Sequence, residues 1–451
     1  MDNTATDLDH TRLNRVEEML ASGTLRQAAR LLNALQPAEI AHLLESLPRT
    51  EREILWELVE DKDGEALIHL PEEIQADLLS RMELAEILSA TEALDLDDLA
   101  DLIQQLPDTV TRELLDSLDL QRRNRLEAVL GYPEDTAGGL MNTDTVTVRP
   151  EVTLDAVLRY LRRLGDRVPA DTDALIVVNR DDRYLGMLSL ARLVSADPAD
   201  SVAEVMTADS KPLPADWPAR EVANRFERHD LVSAAVVDAD GKLLGRITVD
   251  DVLDVIREEG EHQFMGRAGL SEEEDMFAPV LISARRRTIW LGINLLTALL
   301  ASWVIGQFED TISKMVALAV LMPIVASMGG IAGSQTLTLA IRGIALGQLS
   351  SKNARWLVTK ELAVGTINGV IWAIVVGAVA GTWFQSMDIA WLIAAAIIIN
   401  LLFAALTGAV LPLFLKRVGI DPALAGGVLL TTVTDVVGFL AFLGLATIFL
   451  L

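Results

Sequence analysis

GGVLLTTVTDVVGFLAFLGLATIFL, residues Gly426 to Leu450, is an apolar run interrupted by one carboxylate, Asp435, near its middle. About twenty residues at 1.5 Å rise cross the hydrocarbon of a bilayer, so the run predicts a transmembrane helix. A carboxylate at that depth costs about 2.5–3.5 kcal/mol on insertion scales and belongs in a bundle interior or a wet cavity. Thr431, Thr432 and Thr434 fall within one turn before Asp435 and put hydroxyls close to it. A cation-binding group lining a pathway has this chemistry. An acid that merely bonds a neighbouring helix has it too, but intramembrane acids more often mark pathways.

Four more apolar runs precede this one, giving five spans at about 288–307, 314–342, 360–384, 388–415 and 423–451. With the N-terminal half inside, the cytoplasmic ends carry Arg285, Arg286, Arg287, Arg342, Lys352, Arg355, Lys360, Lys416 and Arg417, against Lys314 alone outside. That asymmetry predicts a cytoplasmic N-terminus and an external C-terminus in the inner membrane. Trp290 and Trp356 near the inner face, with Trp303, Trp383 and Trp391 near the outer, suit aromatic belts. The second span holds Pro323 and then MGGIAGSQ, Met328 to Gln335. Pro with several glycines suits a helix that breaks along a pathway, with Gly329, Gly330 and Ile331 lining it. The same glycines, with Gly333 and Gly343, equally suit close helix packing.

The front of the chain is of another kind. From Pro279 onward there are 10 Lys/Arg against 6 Asp/Glu, and before it 28 against 59. Such an acidic excess repels nucleic acid and attracts counter-cations where acids converge. The sequence has no cysteine and 5 histidines, which excludes thiolate sites and favours oxygen sites for hard cations. The opening MDNTATDLDH has no signal-peptide core, so the front half is expected in the cytoplasm. No P-loop, nucleophile elbow or HExxH occurs, and an enzyme is not expected.

Residues 1–130 read as an all-α, superhelical domain. Apolar residues recur at three- and four-residue spacing in PAEIAHLLESL, PEEIQADLLSRM and DLDDLADLIQQL, and Pro37, Pro48, Pro71 and Pro107 fall at or near helix starts. Residues 131–253 are an α/β duplication of about 60 residues per copy. LMNTDTVTVRPEVTLDAVLRYL parallels VMTADSKPLPADWPAREVANRF, and ALIVVNRDDRYLGMLSLARLV parallels SAAVVDADGKLLGRITVDDVL, pairing Met141 with Met206 and Gly186 with Gly245. Each copy predicts a β-α-β-β-α unit, and the pair resembles tandem CBS domains. That resemblance implies clefts for adenosyl nucleotides such as ATP, with Thr248 and Asp251 holding ribose and phosphate in the second copy. In the first, Ser189 is followed by Arg192, which leaves one nucleotide site. A Thr ending a strand and an Asp opening a helix make an equally good helix cap. Residues 254–279 then join this region to the five-span domain, 280–451. Asp250, Asp251, Asp254, Glu258, Glu259 and Glu261 crowd the helix at the junction.

The order of parts, with YPEDTAGGLM (Tyr132–Met141), P-x5-GG-x-AGSQ (Pro323–Gln335), GIDPALAGG (Gly419–Gly427) and TTVTDVVGF (Thr431–Phe439), resembles the MgtE family of magnesium channels. The resemblance implies a homodimer with a pore between the membrane domains and hydrated Mg2+ held at Asp435. It implies that cytosolic Mg2+ closes the pore by bridging the helical domain, the CBS pair and a connecting "plug" helix. The matching positions are Asp97 and Asp101, Asp251, Asp254 and Glu259, and Asp421 at the inner mouth. Three departures stand out. Ile331 replaces an Asn of the family's second span, Gly426 and Gly427 stand where a pore-facing Asn occurs in relatives, and the plug reads GEHQ, Gly260 to Gln263, where the family has ATED. These bear on selectivity and keep open a transporter for Co2+ or Mn2+. A non-conducting CBS-based membrane sensor is the other alternative, though it has no use for Asp435.

Overall fold

A computed structural model describes residues 14–16, 18–20, 22, 24–59, 62–92, 94–169, 171–266, 268–270, 275–349 and 353–450. Lys352 and the N-terminal decapeptide, used above for orientation, lie outside them. The chain forms two compact units, residues 1–259 with 273–278, and residues 260–272 with 279–451.

The first unit begins with short helices: α1 (Leu25–Leu32), α2 (Pro37–Glu45), α3 (Arg49–Trp56), α4 (Asp63–Ile68), α5 (Glu72–Leu79), α6 (Leu84–Thr91), α7 (Leu96–Gln104), α8 (Asp108–Ser117) and α9 (Leu120–Val129). Pro37 opens α2, while Pro48, Pro71 and Pro107 stand just before α3, α5 and α8, where an N–H has no helical partner to lose. Gln36 with Glu39, and Glu83 with Glu86, close capping boxes. Helices this short are marginal alone and are held by packing. α2 lies on α3 and α4, α4 on α6, α6 on α8 and α7 on α9, so alternate helices stack on one another. Leu44, Leu47, Leu55, Leu67, Ile74 and Leu99 are buried between them. Arg52 is buried as well. Its Nε and Nη2 donate to the carbonyls of Leu44 and Leu47, and its guanidinium grips Asp275 at 2.8 and 3.1 Å. Asp275 lies in the strap just before the first span, and its own N–H donates to Glu73 Oε2 at 2.8 Å.

Two β-α-β-β-α copies follow. β1 (Thr147–Val148), α10 (Leu154–Leu164), β2 (Ala174–Val178), β3 (Tyr184–Ser189) and α11 (Leu190–Ser195) make the first. After α12 (Val202–Val205), β4 (Leu213–Pro214), α13 (Ala219–His229), β5 (Ser233–Val237), β6 (Leu243–Thr248) and α14 (Val249–Gly266) make the second. In each sheet the first strand runs parallel to the middle one and the third antiparallel to it. The register is repeated: Val177 faces Gly186 and Val236 faces Gly245, with a bulge at the next position in both. The two glycines have one purpose. The lead of each copy bridges the third strand of the other, Asn142 to Arg246 and Thr207 to Met187. A Cβ on Gly245 would stand 2.6 Å from the Asn142 carbonyl oxygen, and one on Gly186 2.5 Å from that of Thr207.

The second unit holds five long apolar helices: α15 (Val280–Gly306), α17 (Ala317–Ala345), α18 (Ala354–Phe384), α19 (Met387–Val418) and α20 (Pro422–Leu450), with a short α16 (Glu309–Lys314) after α15. Several of their ends lie beyond the limits expected from hydropathy, although α17 starts at Ala317, inside the expected 314. α15 starts at Val280 and runs through Arg285–Arg287, because arginines are good helix formers whatever their hydropathy. α19 is the most buried and packs on α17, α18 and α20. Gly365, Gly369, Ala373 and Gly377 of α18 form a buried four-residue stripe. Glycine there lets α18 and α19 come close, since a Cβ on Gly365 would meet Ala405 Cβ at 2.9 Å. α17 is unbroken despite Pro323, so Gly329, Gly333 and Gly343 act here by close approach.

Candidate metal centres

In the membrane unit Asp435 sits at the middle of α20 and is half-buried. Among the described residues none hydrogen-bonds to it or pairs with its charge. The three threonines before it donate back into their own helix, Thr431 to the Gly427 carbonyl (2.9 Å), Thr432 to Val428 (2.8 Å) and Thr434 to Thr431 (3.0 Å). With their protons so used, the hydroxyl oxygens keep lone pairs for water or a cation. Thr431 is exposed, Thr432 half-buried and Thr434 fully buried. On α17, Gly329 is buried against Asn400 of α19, Gly330 has open space beside it, and Ile331 is exposed.

The connection from α19 to α20 is fixed by Gly419, whose φ of +80° reverses the chain. The Ile420 N–H donates to the Leu415 carbonyl at 3.0 Å, completing a C-terminal cap. Asp421 then caps α20, its Oδ1 accepting from the Ala423 N–H at 2.7 Å and its Oδ2 contacting Nε2 of His262. A second acid inside the bundle was not singled out from sequence. Glu361 of α18 is 4% exposed and takes hydrogen bonds from Thr336 (3.0 Å) and Lys360 (2.8 Å). Unlike Asp435, it is satisfied.

In the first unit the acids of α7 and α14 converge. Asp95 precedes α7, and Asp97 and Asp98 stand in its first turn, where the helix dipole tolerates them. Asp95, Asp97 and Asp98 each present an oxygen within 4.8 Å of the others, close enough for one ion. Asn142 Nδ2 donates to Asp97 Oδ1 at 3.2 Å. Burial, then the charge of Asp251, holds Asp97 well above the usual carboxylate range. Burial with Asp95, Asp251, Asp250 and Asp254 lifts Asp98 to about 7. Burial with Glu134, Asp98, Glu258 and Asp251 lifts Asp101 to about 8. Asp251 rises to about 6, chiefly by burial. Carboxylates so placed hold protons near neutrality, and a divalent cation would displace those protons.

The structure brings Asp97, Asp101 and Asp251 together, and Asp254 is near enough to act on Asp98. Asp254 also pairs with Arg257 at 3.2 Å, and Glu259 with Arg220 at 3.6 Å. Asp98, Glu134 and Glu258 join the cluster unforeseen. Asp98 and Glu134 lie inside motifs already quoted, yet their packing needs the third dimension. At the second-copy position, Asp251 Oδ2 accepts from both the N–H (3.0 Å) and the hydroxyl (2.9 Å) of Thr248, the geometry of a helix cap. Ser189 caps α11 in the first copy.

Comparison with known proteins adds the following. Residues 322–445 match a family model described as a divalent cation transporter, residues 35–135 the MgtE intracellular N domain, and residues 137–199 and 202–258 CBS domains. The chain is 34% identical over 445 residues to the magnesium transporter MgtE of Thermus thermophilus, covering 96% of this chain and 98% of that one. It is 27% identical to the magnesium transporter MgtE of Bacillus subtilis, covering 97% of each. A crystal structure of the cytosolic domain of the Mg2+ channel MgtE in complex with ATP is similar to 54% of this chain, at 36% identity, and is itself 99% covered; the TM-score is 0.50.

Proposed function

Because the chain belongs to the MgtE family of magnesium transporters, we propose that Mg2+ crosses the bilayer along α20 and is held there at Asp435. The observation that carries this reading is a mid-span carboxylate without a partner among the described residues, in contrast to a buried acid, Glu361, that has two. An uncompensated charge at that depth is tolerated where an ion or water answers it. Mg2+ gives up its waters reluctantly, so one carboxylate per chain with hydroxyls nearby holds the hydrated ion through its water shell. In a homodimer two Asp435 groups would meet. Empty, they repel each other; a divalent ion relieves that repulsion. Thr431 and Thr432, with Thr434, Gly329, Gly330 and Ile331, belong to the same proposed pore region.

The cytosolic acids act as the gate in this reading. Mg2+ joins Asp97 and Asp101, together with Asp98, to Asp251, Asp254 and Glu259, and a further ion is read at Asp421. Binding favours the closed state by the difference in affinity between the two states. The orientation is N-terminus in the cytoplasm and C-terminus outside, in the inner membrane. Nucleotide at Thr248 and Asp251 is a second reading, favoured by the likeness to an ATP complex. A transporter family is not a class of enzyme. Selectivity for Co2+ or Mn2+ over Mg2+ is the alternative that Ile331 and Gly427 keep in play.

The test is divalent flux into proteoliposomes, comparing Mg2+, Ca2+, Mn2+ and Co2+. Asp435→Asn is expected to abolish uptake while the protein stays folded. Wild-type uptake by this variant would remove the ion site from α20.

A further inference from the structure

Asn400 is the polar residue at the centre of α19, the most buried of the five spans. It is 1% exposed. Its Nδ2 donates to the Val325 carbonyl of α17 at 2.8 Å, while its Oδ1 is buried and accepts no hydrogen bond among the described residues. The amide lies between two glycines on different helices. A Cβ on Gly329 of α17 would stand 2.3 Å from Asn400 Nδ2, and one on Gly438 of α20 2.7 Å from the same atom. Gly438 is three residues after Asp435 and therefore on the same side of α20. Leaving a buried amide oxygen unpaired is unfavourable, and a leucine or alanine would avoid it. The amide is kept where three spans meet, next to the ion-binding turn.

We propose that Asn400 is the positioning residue of the Asp435 carboxylate. Its amide is a wedge that hydrogen-bonds α17 and sets how near α20 can approach, so its size fixes the place of Asp435 along the pathway. The wedge rests on the reading of Asp435 as the ion site. It makes Gly329 and Gly438 obligatory as its two seats, since any side chain at either would displace the amide or the helix.

The test uses the full-length protein in proteoliposomes. The chain has no cysteine, so spin labels at Val320→Cys and Leu440→Cys, both exposed, report the separation of α17 from α20. Asn400→Ala should shift that separation and raise the KM for Mg2+ about tenfold, with a smaller loss of maximal rate, as expected when a reacting group is misplaced by a fraction of an ångström to an ångström. Gly438→Ala alone should do likewise. Asn400→Ser combined with Gly438→Ala, which keeps a donor and refills the space, should recover much of the wild-type KM; it also serves if Asn400→Ala does not fold. The proposal is overturned if the Asn400 variants lose uptake only in proportion to folded protein, with KM and label separation unchanged, or if the double variant is no better than its parents. Asp435→Asn is measured beside them. Full uptake there would overturn the ion-site reading, while the label separation still decides the wedge.

Discussion

Asp435, the proposed ion site, and Glu361 differ at single-residue scale in what answers each acid. Both interrupt apolar spans, but Glu361 is answered by Thr336 and Lys360 and Asp435 by nothing among the described residues. The presence of each acid could be read from the chain; only the fold tells which has partners. Asn400 obeys the same rule, a lone amide in IIINLLF, and sequence reasoning passed it over because an amide carries no charge to attract attention. A pH dependence belongs to this scale. Asp98 and Asp101 titrate near 7 and 8 in the folded unit, and an unfolded aspartate near 3.9. Their folded values are raised, so the stability they contribute is complete below about pH 4 and is lost as pH rises through about 8. The melting temperature of the first unit, made without the membrane spans, should therefore fall in chelator between pH 5 and pH 8.5. Mg2+ should restore more of it at pH 8.5 than at pH 5.5, because less proton has to be displaced. A chelated protein that gains stability across that window would mean that the acids are not crowded together.

At the scale of elements, α7 and α14 carry the acids of the proposed sensing surface, and they were unequally legible. The spacing of Leu96, Leu99, Ala100 and Ile103 makes α7 amphipathic and turns Asp97, Asp98 and Asp101 away from its core. Which acids they meet depends on α14, a helix of 18 residues in one piece, where the sequence suggested a change of domain between residues 253 and 254. The duplicated copies were readable to the residue, since Gly186 and Gly245 fill the same role by the same geometry. Helix ends in the membrane unit were not, because an arginine leaves the hydrocarbon without leaving the helix. Asp97→Ala with Asp101→Ala removes two of the proposed oxygen ligands from one face of α7. The Mg2+ midpoint for protease protection, and for channel closure in patch recordings, should rise by at least about tenfold, as charge count tunes such sites. Equal midpoints in wild type and double variant would make them ordinary surface acids.

At the scale of the whole molecule, the charge division is the widest feature: 28 basic against 59 acidic residues before Pro279, and 10 against 6 from it onward. In the proposed function, Mg2+ is thus attracted to one part of a chain whose other part transports it. The clasp of Arg52 on Asp275 spans 223 residues of sequence. No periodicity or motif announces it, since nothing local requires either partner. Removing one side of a buried ion pair costs about 3–5 kcal/mol, because the other charge stays buried. A soluble fragment of residues 1–278 should be more stable by about that amount than one ending at residue 270, measured by urea denaturation. Identical midpoints would mean that Arg52 finds another partner. The clasp also sets a clock for biosynthesis. Arg52 leaves the ribosome early, whereas Asp275 follows on the order of ten to forty seconds later at ordinary elongation rates. Through that interval the helical array is made but holds the Arg52 guanidinium by the Leu44 and Leu47 carbonyls alone, without Asp275 to balance its charge. Its last increment of stability arrives only once Asp275 has left the ribosome, by which time Val280 and the start of α15, close behind it in sequence, have already been made. The nascent chain thus finishes closing its first unit just as it must begin entering the bilayer.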